Sequence, residues 1–158
     1  MNEGLIHNWN MVVGKDDTVF HLGDVSFGNR EETEKVLARL NGHLFLVKGN
    51  HDKKTYSRFE WVKDYYEHKF PNPLKAGEFM NVVMFHFPIG QWHRKHYGAI
   101  HLHGHCHGSY PLYSDEKRFD VGVDVWKYAP ISLKDIARYE QGFGIPKADH
   151  HGNEMGAV

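Results

Sequence analysis

The sequence predicts a layered α/β domain. Short apolar strands alternate with helices, and several of those strands stop at a Gly beside a polar residue. Thr18–Leu22 and Leu44–Val47 are runs too short for buried helices. A chain of 158 residues with 41% hydrophobic and 25% charged residues matches a single globular domain in size and composition.

The elements follow in order. Residues 2–12 read as a helix, with Leu5, Ile6, Trp9, Val12 and Val13 near one face, and Gly14–Asp17 as a turn. The strand 18–22 ends at Gly23-Asp24. Glu31–Leu40 reads as a helix, with acids at its start and Arg39 near the end that favours a cation. The strand 44–47 ends at Gly49-Asn50-His51-Asp52. Residues 53–70 are mixed in pattern, and Pro71-Asn72-Pro73 marks a loop. Strands are expected at Phe79–Phe85, Ala99–Leu102 and Phe119–Val125. The last is called from its alternation of apolar and polar residues. Ser132 caps a final helix, Leu133–Tyr139. The expected domain is 1–141. Residues 142–158, made of Gly, His and polar residues, read as a loosely held tail.

Composition narrows the function. No stretch approaches the roughly 18 apolar residues of a membrane span, and no leader is visible, so a cytoplasmic protein is expected. The single cysteine excludes an internal disulfide and suits a reducing compartment. A net charge of −1 gives no general drive toward nucleic acid or membrane. The anomaly is 14 histidines, which points to metal chemistry with nitrogen and oxygen ligands.

Four strands in succession end in a group able to bind a metal: Asp24, Asn50, His86 and His105. The Asp24 carboxylate has two oxygens and can bridge two cations, although Gly-Asp after a strand is by itself an ordinary turn. Asn50 offers a neutral carbonyl ligand. His51 is suited to donate a proton to a leaving oxygen, with Asp52 orienting and charging its imidazole. His86 alone would be a structural histidine and gains its meaning from the other three. His105 and His107, at i and i+2 on an extended loop, project to one side, with Cys106 between them pointing away. His101 and His103 suit structural or ligand-orienting roles, and His21 a structural one. His150 and His151 belong to the tail. Arg94, with Trp92, His93 and Tyr97, is a weak candidate for a phosphate-ester pocket.

In combination these motifs resemble the calcineurin-like metallophosphoesterases. The family's Gly-Asp, Gly-Asn-His-Asp, strand-end His and Gly-His-x-His appear in order as Gly23-Asp24, Gly49–Asp52, His86 and Gly104–His107. The resemblance spans about residues 1–140 and is most like the small bacterial and phage members. It implies an α/β/β/α sandwich with two divalent ions, of Mn, Fe, Zn or Ni, at the strand ends. Asp24 would bridge them, Asn50, His86 and His105 would complete one ion, His107 would serve the other, and His51 would donate the proton.

The family's Asp-x-His, on its first strand, does not occur upstream of Gly23. The expectations that follow are an internal methionine at Met1, a sheet without that strand, and one firm metal site beside a weak one. Glu3 and His7 on the opening helix could replace the missing ligands, but they read better as solvent-facing. The function expected is hydrolysis of a small phosphomonoester or phosphodiester by a metal-bound hydroxide. The rival is a catalytically weak metal-binding remnant or accessory domain. A nuclease of the same chemistry is a third option, disfavoured because no basic groove is apparent.

Overall fold

The computed structural model describes residues 2–53, 56–110 and 117–142. The expected tail beyond Gly142, including His150 and His151, lies outside the described residues.

Helix α1 (Asn2–Val12) leads into β1 (Thr18–His21), α2 (Arg30–Leu37) and β2 (His43–Val47). Strands β3 (Phe59–Lys63), β4 (Tyr65–Pro71) and β5 (Phe79–Phe85) follow, then β6 (Ile100–His103), β7 (Arg118–Asp120) and α3 (Leu133–Glu140). The strands form two sheets, β1-β2-β3 and β4-β5-β6-β7. Pairing in the first sheet is parallel, with Val19 opposite Leu44 and His21 opposite Leu46. In the second, β4 runs antiparallel to β5, while β5, β6 and β7 are parallel.

Local chemistry explains the helices. Asn29 caps α2 by accepting the Glu32 N–H at 2.9 Å. Ser132 caps α3 by accepting the Asp135 N–H at 3.1 Å, and its hydroxyl donates to the Asp135 carboxylate. Helix α2 ends at Leu37, three residues short of the expected Leu40. Ala38 is its cap, and Arg39 and Leu40 donate to the carbonyls of Val36 and Leu37 in a tightened last turn.

Two large apolar clusters build most of the core, beside a small third one of Val83, Trp92 and Ala99. Ile6, Trp9 and Val13 of the first helical segment pack with Leu37, Leu40, Leu44, Leu46 and Phe59. Strand alternation sends Phe20 the other way, to a second cluster with Val47, Met80, Val82, Met84, Ile100, Phe119 and Ile136. Leu46 and Val47 are wholly buried on opposite sides of one strand, the mark of a parallel sheet covered on both faces. Each large apolar side chain so buried contributes about 1.5–3 kcal/mol.

Two expectations need correction. Tyr65–Pro71 form strand β4, the edge of the second sheet, whose exposed Tyr65, Glu67 and Lys69 hide its pattern. Phe119–Val125 is not one strand. Strand β7 stops at Asp120, and Val123–Val125 form a 3-10 turn. The Asp120 carboxylate accepts the Gly122 N–H at 2.9 Å, and its carbonyl accepts the Trp126 indole N–H at 2.7 Å, which turns the chain.

Among the described residues, β1 pairs with β2 alone, leaving its other edge open. Also among them, no helix is long and apolar enough to cross a membrane.

Candidate metal centre

Parallel strands place their C-terminal ends at one end of a sheet, and four of these ends carry the site. Asp24 lies three residues beyond β1, Asn50 three beyond β2, His86 directly after β5 and His105 two beyond β6. The two sheets meet here. The His86 Nδ1–H donates to the Leu22 carbonyl at 2.6 Å, tying the end of β5 to the end of β1. The His86 carbonyl accepts the Gly104 N–H at 3.1 Å.

That bond to Leu22 fixes the tautomer. A carbonyl can only accept, so Nδ1 carries the hydrogen, and Nε2 of the neutral ring carries a lone pair. Nε2 faces Asn50 Oδ1 at 3.0 Å and Asp24 Oδ2 at 3.4 Å. In this arrangement the electron-rich atoms repel unless a proton on Nε2 or a metal ion lies among them; the Asn50 amide turned over would instead donate its N–H to Nε2. Ligand atoms of Asp24, His86 and His105 all lie within 4.8 Å of one another. His86 is buried and the other two are open to solvent on one side. One carboxylate, one amide oxygen and two imidazoles suit Mn, Fe, Zn or Ni, so these residues fit the expected group.

The backbone is specialised for this convergence. Gly23 has φ +94°, and a Cβ there would lie 2.4 Å from both Gly49 N and His86 Nδ1. A Cβ on Gly49 would lie 2.2 Å from Asp24 Oδ1. No residue but glycine fits either position. Asp24, His105 and His107 themselves adopt left-handed φ values of 55°, 67° and 49°. Each costs about 1–2 kcal/mol for a residue with a Cβ, strain that collects where side chains must be aimed.

Asp52 has a different task from the one its sequence position suggested. Its carboxylate accepts the backbone N–H groups of Asp24 at 2.7 Å, Val25 at 2.9 Å and Gly49 at 2.8 Å. It thus clamps the Asp24 loop to the Asn50 turn. His51 is exposed, its backbone N–H donates to Asp24 Oδ1 at 2.9 Å, and its ring meets the edge of Phe27 with centroids 5.0 Å apart.

His107 stands outside the three-residue group. Its Nδ1 pairs with the Asp124 carboxylate, which holds the imidazole above its ordinary pKa. Asp124 was not anticipated, because it lies 17 residues away on the turn misread as strand.

Burial lowers the pKa of three other histidines. His101 is fully buried, and burial pushes its pKa down to about 4, against the carbonyls of Val83 and Phe87 nearby. Burial also lowers His103, which bonds the Gly104 carbonyl at 2.8 Å. Burial lowers His21 as well, and its Nδ1 is enclosed without a hydrogen-bond partner. Cys106 is a free thiol raised by burial.

The weak pocket around Arg94 is dispersed. Trp92 is buried and donates to the Ala99 carbonyl at 2.9 Å, His93 pairs with Glu67 at 2.7 Å, and Tyr97 is exposed. Glu3 forms a two-pronged pair with Arg39, at 2.6 and 2.7 Å.

Comparison with known proteins agrees with this geometry. An uncharacterised protein of Methanocaldococcus jannaschii, MJ1445, is 32% identical over 145 residues, covering 87% of this chain and 74% of that protein. The gene 66 protein of Mycobacterium phage D29 is 33% identical over 144 residues, covering 75% of this chain and 72% of its own. The crystal structure of AQ665 from Aquifex aeolicus, a protein of unknown function, shares the fold with a TM-score of 0.63 at 22% identity, covering 87% of this chain and 84% of that one. Residues 4–145 match the model of the calcineurin-like phosphoesterases, and the chain belongs to that family.

Proposed function

We propose that this protein is a metal-dependent phosphoesterase that hydrolyses phosphomonoesters or phosphodiesters. The observation that carries the reading is the meeting of Asp24, Asn50, His86 and His105 around the lone pair on His86 Nε2. Bound ions supply an activated water and neutralise charge on the phosphoryl oxygens. The chain's own residues do the rest. Asp24 offers Oδ2 toward His86, while its Oδ1 is held by the His51 N–H. Asn50 adds an uncharged oxygen and keeps the centre electrophilic. His51, exposed beside Asp24, delivers a proton to the leaving alkoxide. Its peptide is held by Asp24 and its ring rests on Phe27, so the imidazole stays at the mouth of the site.

The test is hydrolysis of bis(p-nitrophenyl) phosphate and p-nitrophenyl phosphate after chelation, then after adding back Mn, Fe, Zn or Ni singly. Hydrolysis should return with at least one metal and fall at least a hundredfold in His86→Ala. Metal binding without hydrolysis would favour the non-catalytic reading. That reading draws on one observation: among the described residues the ligand atoms that lie together are those of Asp24, His86 and His105, one site and not two.

A further inference from the structure

The segment after β7 forms a cradle for the loop that carries His105 and His107. The Asp120 carboxylate divides between two backbone N–H groups, Gly122 at 2.9 Å and Gly108 at 2.9 Å. The chain then turns through Gly122, where a Cβ would lie 2.6 Å from Asp124 Oδ1 and 3.2 Å from Asp120 Oδ1. A side chain at 122 would push the Asp124 carboxylate from this position. The 3-10 turn that follows, with Val125 buried, brings the Asp124 carboxylate against His107 Nδ1. His107 is exposed while Asp124 is only partly so, which makes Asp124 the fixed member of the pair.

We propose that Asp124 is a positioning residue for His107, holding the tautomer with hydrogen on Nδ1 and so leaving Nε2 as the ring atom with a lone pair. This rests on the phosphoesterase reading for its purpose, because a histidine so oriented is ready to coordinate. A carboxylate behind a coordinating imidazole fixes its orientation, and its removal typically weakens metal binding about 10–100-fold. The left-handed φ of 49° at His107 marks a backbone that gains from an outside anchor. Asp124 touches neither substrate nor metal. It acts through His107.

Two measurements test this. In the metal-free protein, at alkaline pH where the His107 ring is neutral, its nitrogen NMR shifts report the tautomer. Wild type should show hydrogen on Nδ1, Asp124→Ala a mixture, and Asp124→Asn, whose amide oxygen still accepts, a return toward wild type. Zinc affinity should fall at least tenfold in Asp124→Ala and recover in part in Asp124→Asn. In a His107→Ala background Asp124→Ala should cost nothing further. An unchanged tautomer in Asp124→Ala, or an additive loss in the double variant, would overturn the proposal. Failure of the wild-type protein to bind zinc would count against the metal reading, and the tautomer would still decide what Asp124 does. If Asp124→Ala fails to fold, Asp124→Asn against Asp124→Leu gives the same comparison.

Discussion

The carboxylate of Asp52 holds the backbone N–H of Asp24 at 2.7 Å across 28 residues of sequence. The same side chain takes Val25 and Gly49, so one carboxylate fixes the loop after β1 against the turn after β2. Asp52→Ala leaves three partly buried N–H groups without their acceptor. Bonds to a charged group are the stronger kind, so the loss should be about 3 kcal/mol, or a fall in Tm of roughly 9 °C for a chain of this size. Metal affinity should fall with it, since Asp24 and Asn50 lose their common anchor. Thermal unfolding and a zinc titration check both, and an unchanged Tm would mean the clamp is not needed.

Glycine at 49 is a requirement of space. Gly49→Ala should abolish tight metal binding, because the new methyl takes the place of Asp24 Oδ1, 2.2 Å away. Gly77→Ala is the control. Gly77 has φ +82° with nothing within 4 Å, so only backbone strain of about 1 kcal/mol is expected, with metal binding intact. Equal loss of metal in both variants would remove the packing explanation.

His51→Ala should separate acid catalysis from metal binding. Turnover should drop more on esters with poor leaving groups than on p-nitrophenyl esters, which need no proton, and metal content should hold. Equal losses on both, or loss of metal, would argue against a proton donor.

Acid should loosen the fold through His101. Its pKa of about 4 lies below the ordinary 6.5, so the unfolded chain binds a proton that the folded one excludes. Its contribution is therefore complete above pH 6.5 and is lost as pH falls toward 4, by roughly 3 kcal/mol in all. Denaturant midpoints across that range, in wild type and His101→Gln, should show a shallower pH dependence in the variant. Parallel curves would place the acid sensitivity elsewhere.

Most of this arrangement could be read from the chain because its candidate ligands sit at strand ends in short local motifs. Gly23-Asp24 and Gly49-Asn50 announce themselves by a Gly at the end of an apolar run. What could not be read depends on contacts between distant segments. Strand β4 exposes Glu67 and Lys69 at a sheet edge, so no apolar alternation signals it. The alternation of Phe119, Val121, Val123 and Val125 suggested one strand, but Asp120 bonds ahead to Gly122 and breaks it. Asp52 looked like a partner for His51 because the two are adjacent. Its three N–H groups come from Gly49 and from a loop 27 and 28 residues earlier, and only folding brings that loop near. Asp124 escaped notice for the same reason.

Asp24, Asn50, His86 and His105 should surround one cation. Anomalous diffraction from crystals equilibrated with Mn or Zn locates that cation. The expected result is a peak bonded to His86 Nε2, with oxygens of Asp24 and Asn50 and a His105 nitrogen at about 2.0–2.2 Å, as such ligands require. A peak held by other residues, or an empty site while Asn50 and His86 keep their places at millimolar metal, would contradict it.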